Sequence, residues 1–340
     1  MTTLIFRFSS LGDVAITVPV IRCLSKKYPN HNFVVVSREK FKPLFTESSN
    51  VSFFCCDFKG RHKGFKGLIN LYKDLSEFNP TRIADLHNVL RSKILSLFFK
   101  FSFKKVRTLN KFRSEKKKLT RSKNKIFKPL TSVYYNYQEV FNKLGYHIDL
   151  NKDHMFPGAK TITSDYNFNI NRKNIGIAPF AKHQTKVYPL DLMQTVVSNL
   201  SKYYNIHLFG FGDELIILEK WSKAYQNVQC PSKSITFNEE LQIISNLDLM
   251  ISMDSGNGHL SSIYDIPTIT VWGLTHPYLG FKPFLMDDNN QLCSNRDKFP
   301  LIPNSVYGNK TIKGYEEAMR SISPKEIIDR AQEILSYTSS

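Results

Sequence analysis

Three short segments of this sequence combine charge, hydroxyls and glycine in a way that could do chemistry. In the first, Arg7-Phe8-Ser9-Ser10-Leu11-Gly12-Asp13, the hydroxyls can bond an acceptor and Gly12 permits close backbone approach. Its carboxylate, Asp13, suits either a general base or an ordinary helix cap, and residue types alone leave both open. The second, Ala178-Pro179-Phe180-Ala181-Lys182-His183-Gln184-Thr185-Lys186-Val187-Tyr188-Pro189, gathers cations ahead of a proline that suits a first helical turn. Cations there could neutralise a diphosphate. Lys186, nearest the helix start, is the one selected; for Lys182 and His183 an exposed polar loop is the stronger reading.

The third segment, Asp254-Ser255-Gly256-Asn257-Gly258-His259-Leu260, turns backbone N–H groups toward an anion at a helix N-terminus. Asp254 as a helix cap and His259 as a hydrogen-bonded core residue are the competing roles. A weaker fourth segment is Gly210-Phe211-Gly212-Asp213-Glu214, where a carboxylate could accept from ribose hydroxyls as in dinucleotide folds. An ordinary turn capped by Asp213 accounts for it equally well.

Each segment follows a strand pattern and leads into a helix pattern, the place where open α/β sheets bind ligands. Short β-branched or aromatic runs over 4–8, 33–37, 51–54, 82–85 and 105–109 alternate with amphipathic stretches, which predicts a parallel sheet with crossover helices. A helix over 134–144 stops at Gly145, and the segment after it loses periodicity. The pattern restarts with strands over 175–178, 206–209, 249–252 and 268–272 and helices over 190–203, 214–224 and 238–246. A capping box, Ser323-Pro324-Lys325-Glu326, opens a last helix over 324–335. The expected organisation is two doubly wound α/β domains, 1–150 and 173–322, joined by a linker over 151–172, with 323–340 packing back on the N-terminal domain.

Composition narrows the class. With 340 residues, 41% of them apolar and 13% aromatic, the chain can bury two ordinary cores. No signal peptide is expected, since Arg7 and Asp13 interrupt the opening apolar stretch, and the apolar run 94–103 is far too short to span a bilayer. Five cysteines without metal-ligand spacing read as free thiols in a reducing cytosol. The net charge is +18, of which the stretch 100–128 supplies +12 from 13 Lys/Arg and Glu115. That stretch is either a solvated loop or a dock for a polyanion; it carries no nucleic-acid-binding motif, so nucleic acid is not an expected partner.

Together the segments resemble glycosyltransferase family 9, the heptosyltransferases, from Leu4 to about Ser336. Arg7 to Val14 is similar to the family's opening motif, whose aspartate, regarded as the catalytic base, falls on Asp13. Lys186-Val187-Tyr188-Pro189 is similar to its lysine–aromatic–proline element, which meets the donor phosphates. Asp254-Ser255-Gly256 with His259 matches its most specific element, continued by Ile266-Pro267-Thr268 and Trp272-Gly273-Leu274-Thr275. Leu274 departs from the usual proline, which bears on the fine shape of the donor pocket.

The resemblance implies the GT-B architecture, two facing Rossmann-like domains. A nucleotide-sugar, ADP-heptose, would sit on the C-terminal domain through Lys186, Glu214, Asp254, Ser255, Gly256 and His259. A lipid-linked lipopolysaccharide inner-core acceptor would sit on the N-terminal one through Ser10, Gly12, Arg61, His62, Lys63 and Arg91. The reaction implied is inverting, with Asp13 and Lys186 as catalytic residues, no cofactor and no metal; Asp287-Asp288 lacks the Asp-x-Asp spacing of metal-dependent transferases. The expected setting is a cytoplasmic monomer held on the anionic inner membrane by the basic stretch, with Leu95, Phe98 and Phe99 dipping into the interface. Another nucleotide-sugar donor, or a non-catalytic polyanion-binding role, is the alternative.

Overall fold

The computed structural model describes residues 1–153, 156–163, 166, 168–230 and 235–337. They form two compact units, Met1–Phe112 with Thr131–Pro157, and Arg113–Leu130 with Gly158–Ser340. The first unit runs β1 (Thr2–Phe6), α1 (Leu11–Ala15), α2 (Thr17–Lys27), β2 (Asn32–Ser37), β3 (Val51–Cys55), α3 (Gly64–Ser76), β4 (Arg82–Asp85), α4 (Leu90–Phe101) and β5 (Lys105–Thr108). The next helix, α5 (Arg113–Thr120), belongs to the second unit, and α6 (Val133–Leu144) and α7 (Leu150–Asp153) complete the first.

The first sheet has the order β3-β2-β1-β4-β5 with every pair parallel. Leu4, Ile5 and Phe6 on β1 and Phe33 to Val36 on β2 are buried on both faces, as central strands covered by crossover helices must be. The strand order reverses between β1 and β4, so the loops leaving their carboxyl ends flank the crevice where such sheets hold ligands. The loop after β1 carries Ser10 and leads into α1 with Gly12 and Asp13, and the loop after β4 leads into α4 with Arg91.

The second unit runs β6 (Asn174–Ala178), α8 (Leu190–Leu200), β7 (Asn205–Leu208), α9 (Glu214–Ala224), β8 (Val228–Gln229), α10 (Phe237–Ile244), β9 (Leu249–Met253), α11 (Gly256–Ser262), β10 (Thr268–Trp272), β11 (Gln291–Cys293) and α12 (Pro324–Tyr337). Its parallel sheet is ordered β11-β10-β9-β6-β7-β8. The order reverses between β6 and β9, and the loops leaving these two strands carry Lys186 and Asp254. Strands β8 and β11, two and three residues long, have no counterpart in the sequence pattern because so few residues establish no alternation.

Three expectations are corrected. Helix α12 buries Ile327, Ala331 and Leu335 in the core that also holds Met193, Val197 and Ile251, so it belongs to the second unit and not to the N-terminal domain. The basic segment 113–130 likewise belongs to the second unit, where the Leu130 N–H donates to the Tyr278 carbonyl at 2.9 Å. On α4, Leu95 and Phe99 are core residues and Phe98 packs against the same cluster; the exposed apolar side chains are Leu90, Leu97, Phe101 and, just after the helix, Phe103. The expected linker, 151–172, lies partly outside the described residues.

Both tryptophans, Trp221 and Trp272, lie in the second unit, so their fluorescence reports its unfolding. Ile327→Ala should cost that unit about 2–5 kcal/mol in urea denaturation followed by this signal. An unchanged tryptophan transition would contradict the place of α12 in its core.

Candidate functional site

In the first unit the chain leaves β1 through Arg7, a buried residue whose Nη1 donates to the Leu86 carbonyl at 2.8 Å. Its Nη2 pairs with Asp13 Oδ2 at 2.5 Å. The same oxygen accepts from the Ser10 hydroxyl at 2.9 Å and the Ser10 backbone N–H at 3.3 Å. Asp13 thereby closes the capping box of α1, and it remains partly exposed. Burial pushes its pKa up, but the Arg7 charge and the Ser10 hydrogen bonds outweigh that and hold it below the usual carboxylate value. The aspartate is therefore a cap and a carboxylate ionised at neutral pH at once, and all three bonds fall on Oδ2. Gly12, the second residue of α1, is not among the positive-φ glycines.

An aromatic cluster joins this loop to two others. Phe8 meets Phe58, beyond β3, at 5.0 Å and His87, beyond β4, at 5.4 Å. The exposed Arg91 lays its guanidinium 4.8 Å from the Phe58 ring centroid. His87 is pushed down to about 3 by burial, then by the Arg7 and Lys111 charges. Asp85 is buried and accepts from the His87 and Asn88 backbone N–H groups and the Ser92 hydroxyl, at 3.0, 2.8 and 3.0 Å. Its work is to hold the loop.

The expected acceptor cluster at 61–63 divides. His62 is buried, accepts the Asp57 backbone N–H on Nδ1 at 3.0 Å and donates from Nε2 to Asp74 at 3.0 Å. Both ring nitrogens are used, so His62 shapes the loop and presents nothing outward. Arg61 makes a bidentate pair with the same Asp74, at 2.9 and 2.6 Å, and its hydrogen bonds hold the Asp74 carboxyl down at about 2. Arg61 and Lys63 themselves are exposed.

In the second unit, three loops meet at one carboxylate. Asp254 Oδ2 pairs with Lys186 Nζ at 2.9 Å and accepts from the Thr275 hydroxyl at 2.8 Å, and Lys186 and Asp254 are both largely buried. Two glycines allow the approach. A Cβ on Gly273 would stand 2.2 Å from the Thr185 carbonyl oxygen, and one on Gly308 would strike the Lys186 stem at 2.5 Å. Beside this pair, Ser255 caps α11, and its buried Oγ has no partner among the described residues. Gly256 opens the helix, and His259 is buried on its first turns.

Glu214 accepts its own loop's Phe211 N–H at 2.9 Å and is raised by burial. Sequence reasoning passed over Glu240. Burial raises this side chain on α10 to about 7 against the opposing hydrogen bond to Asn257, the second residue of α11. Nothing distinguishes it in the sequence from Glu239, which closes the α10 capping box with Thr236. The Asp287-Asp288 pair is engaged otherwise, Asp287 capping a short helical turn and Asp288 pairing with Lys282 at 2.5 Å. A cleft of about 450 Å³ lined by Thr185, Leu274, Ile312 and Tyr315 does not include Lys186, Asp254 or His259.

The profile of the family "Glycosyltransferase family 9 (heptosyltransferase)" matches residues 68–301. The lipopolysaccharide core heptosyltransferase OpsX of Haemophilus influenzae is 23% identical over 283 residues, 80% of this chain and 79% of that protein. Among solved structures, the family 9 glycosyltransferase of Veillonella parvula superposes with a TM-score of 0.75 at 16% identity, covering 99% of this chain and 97% of its own. The heptosyltransferase WaaC of E. coli, solved with ADP, gives a TM-score of 0.69 at 16% identity, with 98% and 100% covered. These likenesses establish an α/β fold of the GT-B class.

The geometry around Asp74 makes a prediction of its own. A carboxyl held at about 2 against an ordinary 3.8 contributes stability that is fully present above the ordinary value and is lost as pH falls through the folded one. Asp74→Asn should therefore destabilise the chain at neutral pH, by circular dichroism in urea, and the gap from the parent should close between pH 4 and 2. A gap independent of pH would mean that the ion pair contributes nothing.

Proposed function

The chain belongs to glycosyltransferase family 9, the heptosyltransferases, and on that premise we propose that it moves a heptose from ADP-heptose to the lipopolysaccharide inner core, inverting the sugar carbon. The observation that carries this reading is the Lys186–Asp254 pair beside the unpartnered Ser255 hydroxyl at the start of α11. A leaving diphosphate needs positive charge and N–H donors held in advance. Lys186 keeps N–H donors beyond its bond to Asp254, and α11 offers backbone N–H groups at Ser255 and Gly256. Asp254 and His259 would then hold the donor sugar, and Glu214 the ribose. A relative solved with ADP makes the adenine nucleotide the first donor to test.

On the acceptor side Asp13 is the base. An ionised carboxylate of lowered pKa takes a proton late, as the acceptor oxygen bonds to the anomeric carbon and becomes acidic. Arg7 keeps it ionised and Ser10 orients it, leaving Oδ1 outside that network. Arg61, Lys63 and Arg91 are the acceptor's cationic contacts, with His62 and Gly12 shaping their loops. No metal is required in this scheme, because Lys186 and α11 meet the leaving charge. A family member using a different nucleotide-sugar is the alternative, since phosphate contacts do not specify the sugar.

The proposal includes a cytoplasmic monomer at the anionic inner membrane. Leu97, Phe101 and Phe103 are exposed, Phe103 almost completely, beside Lys93 and Lys100, an arrangement of apolar side chains among cations that suits a bilayer interface. No helix among the described residues is long and apolar enough to cross a membrane.

Asp13→Asn should lower transfer by about 10²–10⁴-fold while leaving calorimetric affinity for ADP-heptose within a few-fold. Lys186→Ala and His259→Ala should each lose about 1.5–3 kcal/mol of donor affinity, and UDP- and GDP-sugars should bind the parent more weakly. Near-normal turnover of Asp13→Asn, or unchanged donor affinity in both other variants, would remove those roles.

The double variant Phe101→Ser with Phe103→Ser should bind anionic vesicles more weakly than the parent and retain transfer to a short water-soluble acceptor. Equal vesicle binding would remove the membrane contact.

A further inference from the structure

A cluster of cations in the second unit has no part in the roles above. Lys125, in the segment after α5, donates from Nζ to the Leu119 and Pro303 carbonyls at 2.7 and 2.6 Å. Arg296, after β11, donates from Nε to the neighbouring Ile302 carbonyl at 2.9 Å and from Nη2 to the Pro300 carbonyl at 3.3 Å. Its guanidinium lies 3.3 Å from the centroid of Phe127, whose ring stands 4.9 Å from that of His276. His276, next to the Thr275 that bonds Asp254, accepts the Tyr278 backbone N–H on Nδ1 at 3.2 Å. Its proton therefore sits on Nε2, a donor without a bond in this cluster.

Like charges brought this close repel unless something compensates them. Among the described residues neither Lys125 nor Arg296 makes an ion pair, and both are only partly buried. The acidic groups that act on Arg296 are the exposed Asp297 and the Tyr278 phenol, and among the described residues none acts on Lys125. Burial first, and then Arg296, pushes Lys125 down to about 8, and burial with both cations pushes His276 down to about 4. Carbonyls occupy only part of the donor capacity: the third N–H of Lys125, Nη1 of Arg296 and Nε2–H of His276 remain, with Lys125 and Arg296 bonded to the adjacent Pro303 and Ile302 carbonyls and Arg296 and His276 both against the Phe127 ring.

We propose that Lys125, Arg296 and His276 form an oxyanion site that takes a phosphate group carried by the acceptor saccharide, distinct from the diphosphate contacts at Lys186. Two cations and a neutral N–H donor match the charge and the several acceptor oxygens of such a group. This assignment of the ligand to the acceptor rests on the transferase reading; the site itself does not.

The test is a phosphate titration of the full chain labelled with ¹⁵N-histidine, with the His276 signal assigned by its loss in His276→Gln. Inorganic phosphate should shift that signal saturably, and Lys125→Met should weaken the binding about tenfold or more, with Lys125→Arg restoring it. Saturating ADP should leave the phosphate curve unchanged. No shift at His276, or equal binding by Lys125→Met, would overturn the site; displacement by ADP would assign the cluster to the donor and overturn its separateness. With a soluble phosphorylated acceptor and its dephosphorylated analogue, Lys125→Met should raise KM for the first alone, and equal effects on both would overturn the acceptor assignment. Loss of all ADP-heptose binding by the parent would count against the transferase reading, while the phosphate titration still decides the site.

Discussion

One oxygen of Asp254 ties together three strand ends of the second unit. It takes Lys186 from the loop after β6 and Thr275 from the loop after β10, while its own strand, β9, lies beside both of the others in the sheet. A buried carboxylate is costly unless paired and hydrogen-bonded, so these loops are held to one arrangement. The first unit repeats the device at its own reversal of strand order, where Oδ2 of Asp13 takes Arg7 and the Ser10 hydroxyl. In each unit a preformed carboxylate–cation pair stands at the carboxyl end of a parallel sheet. Such preorganisation spares the reorganisation that water would otherwise need at the moment of reaction.

The glycines serve that arrangement through space. Gly273 lets the Thr185 carbonyl approach the strand end, where the Leu274 N–H donates to it at 3.0 Å. Gly308, with φ of 75°, lies against the Lys186 stem, a conformation and a clearance that a side chain would not tolerate. Gly308 thus bounds the apolar stem of Lys186, whose ammonium pairs with Asp254.

Most of this frame was legible in the sequence because central parallel strands are buried on both faces and read as continuous apolar runs. Thus 268–272 and 82–85 agree with β10 and β4 residue for residue. An amphipathic pattern shows that one face of a helix is buried, but not against what, so the pattern of α12 does not reveal that its core lies in the second unit. In α4 nearly every residue from Ile94 to Phe99 is apolar or small, so periodicity does not single out Leu95 and Phe99 as the inner pair. His62 looks like a ligand by type, yet its partners lie five and twelve residues away, and only the fold brings them together. The cations Lys125 and Arg296 lie 171 residues apart in the chain, beyond the reach of any local motif.

The proposed reaction is a displacement in which Asp13 serves the acceptor while Lys186 and α11 receive the diphosphate. Nuclear magnetic resonance of the product formed from ADP-heptose and a lipopolysaccharide inner-core acceptor measures this most directly, through the configuration of the transferred anomeric carbon. A single product whose anomeric configuration is opposite to the donor's is expected. Retention of the donor configuration would contradict it.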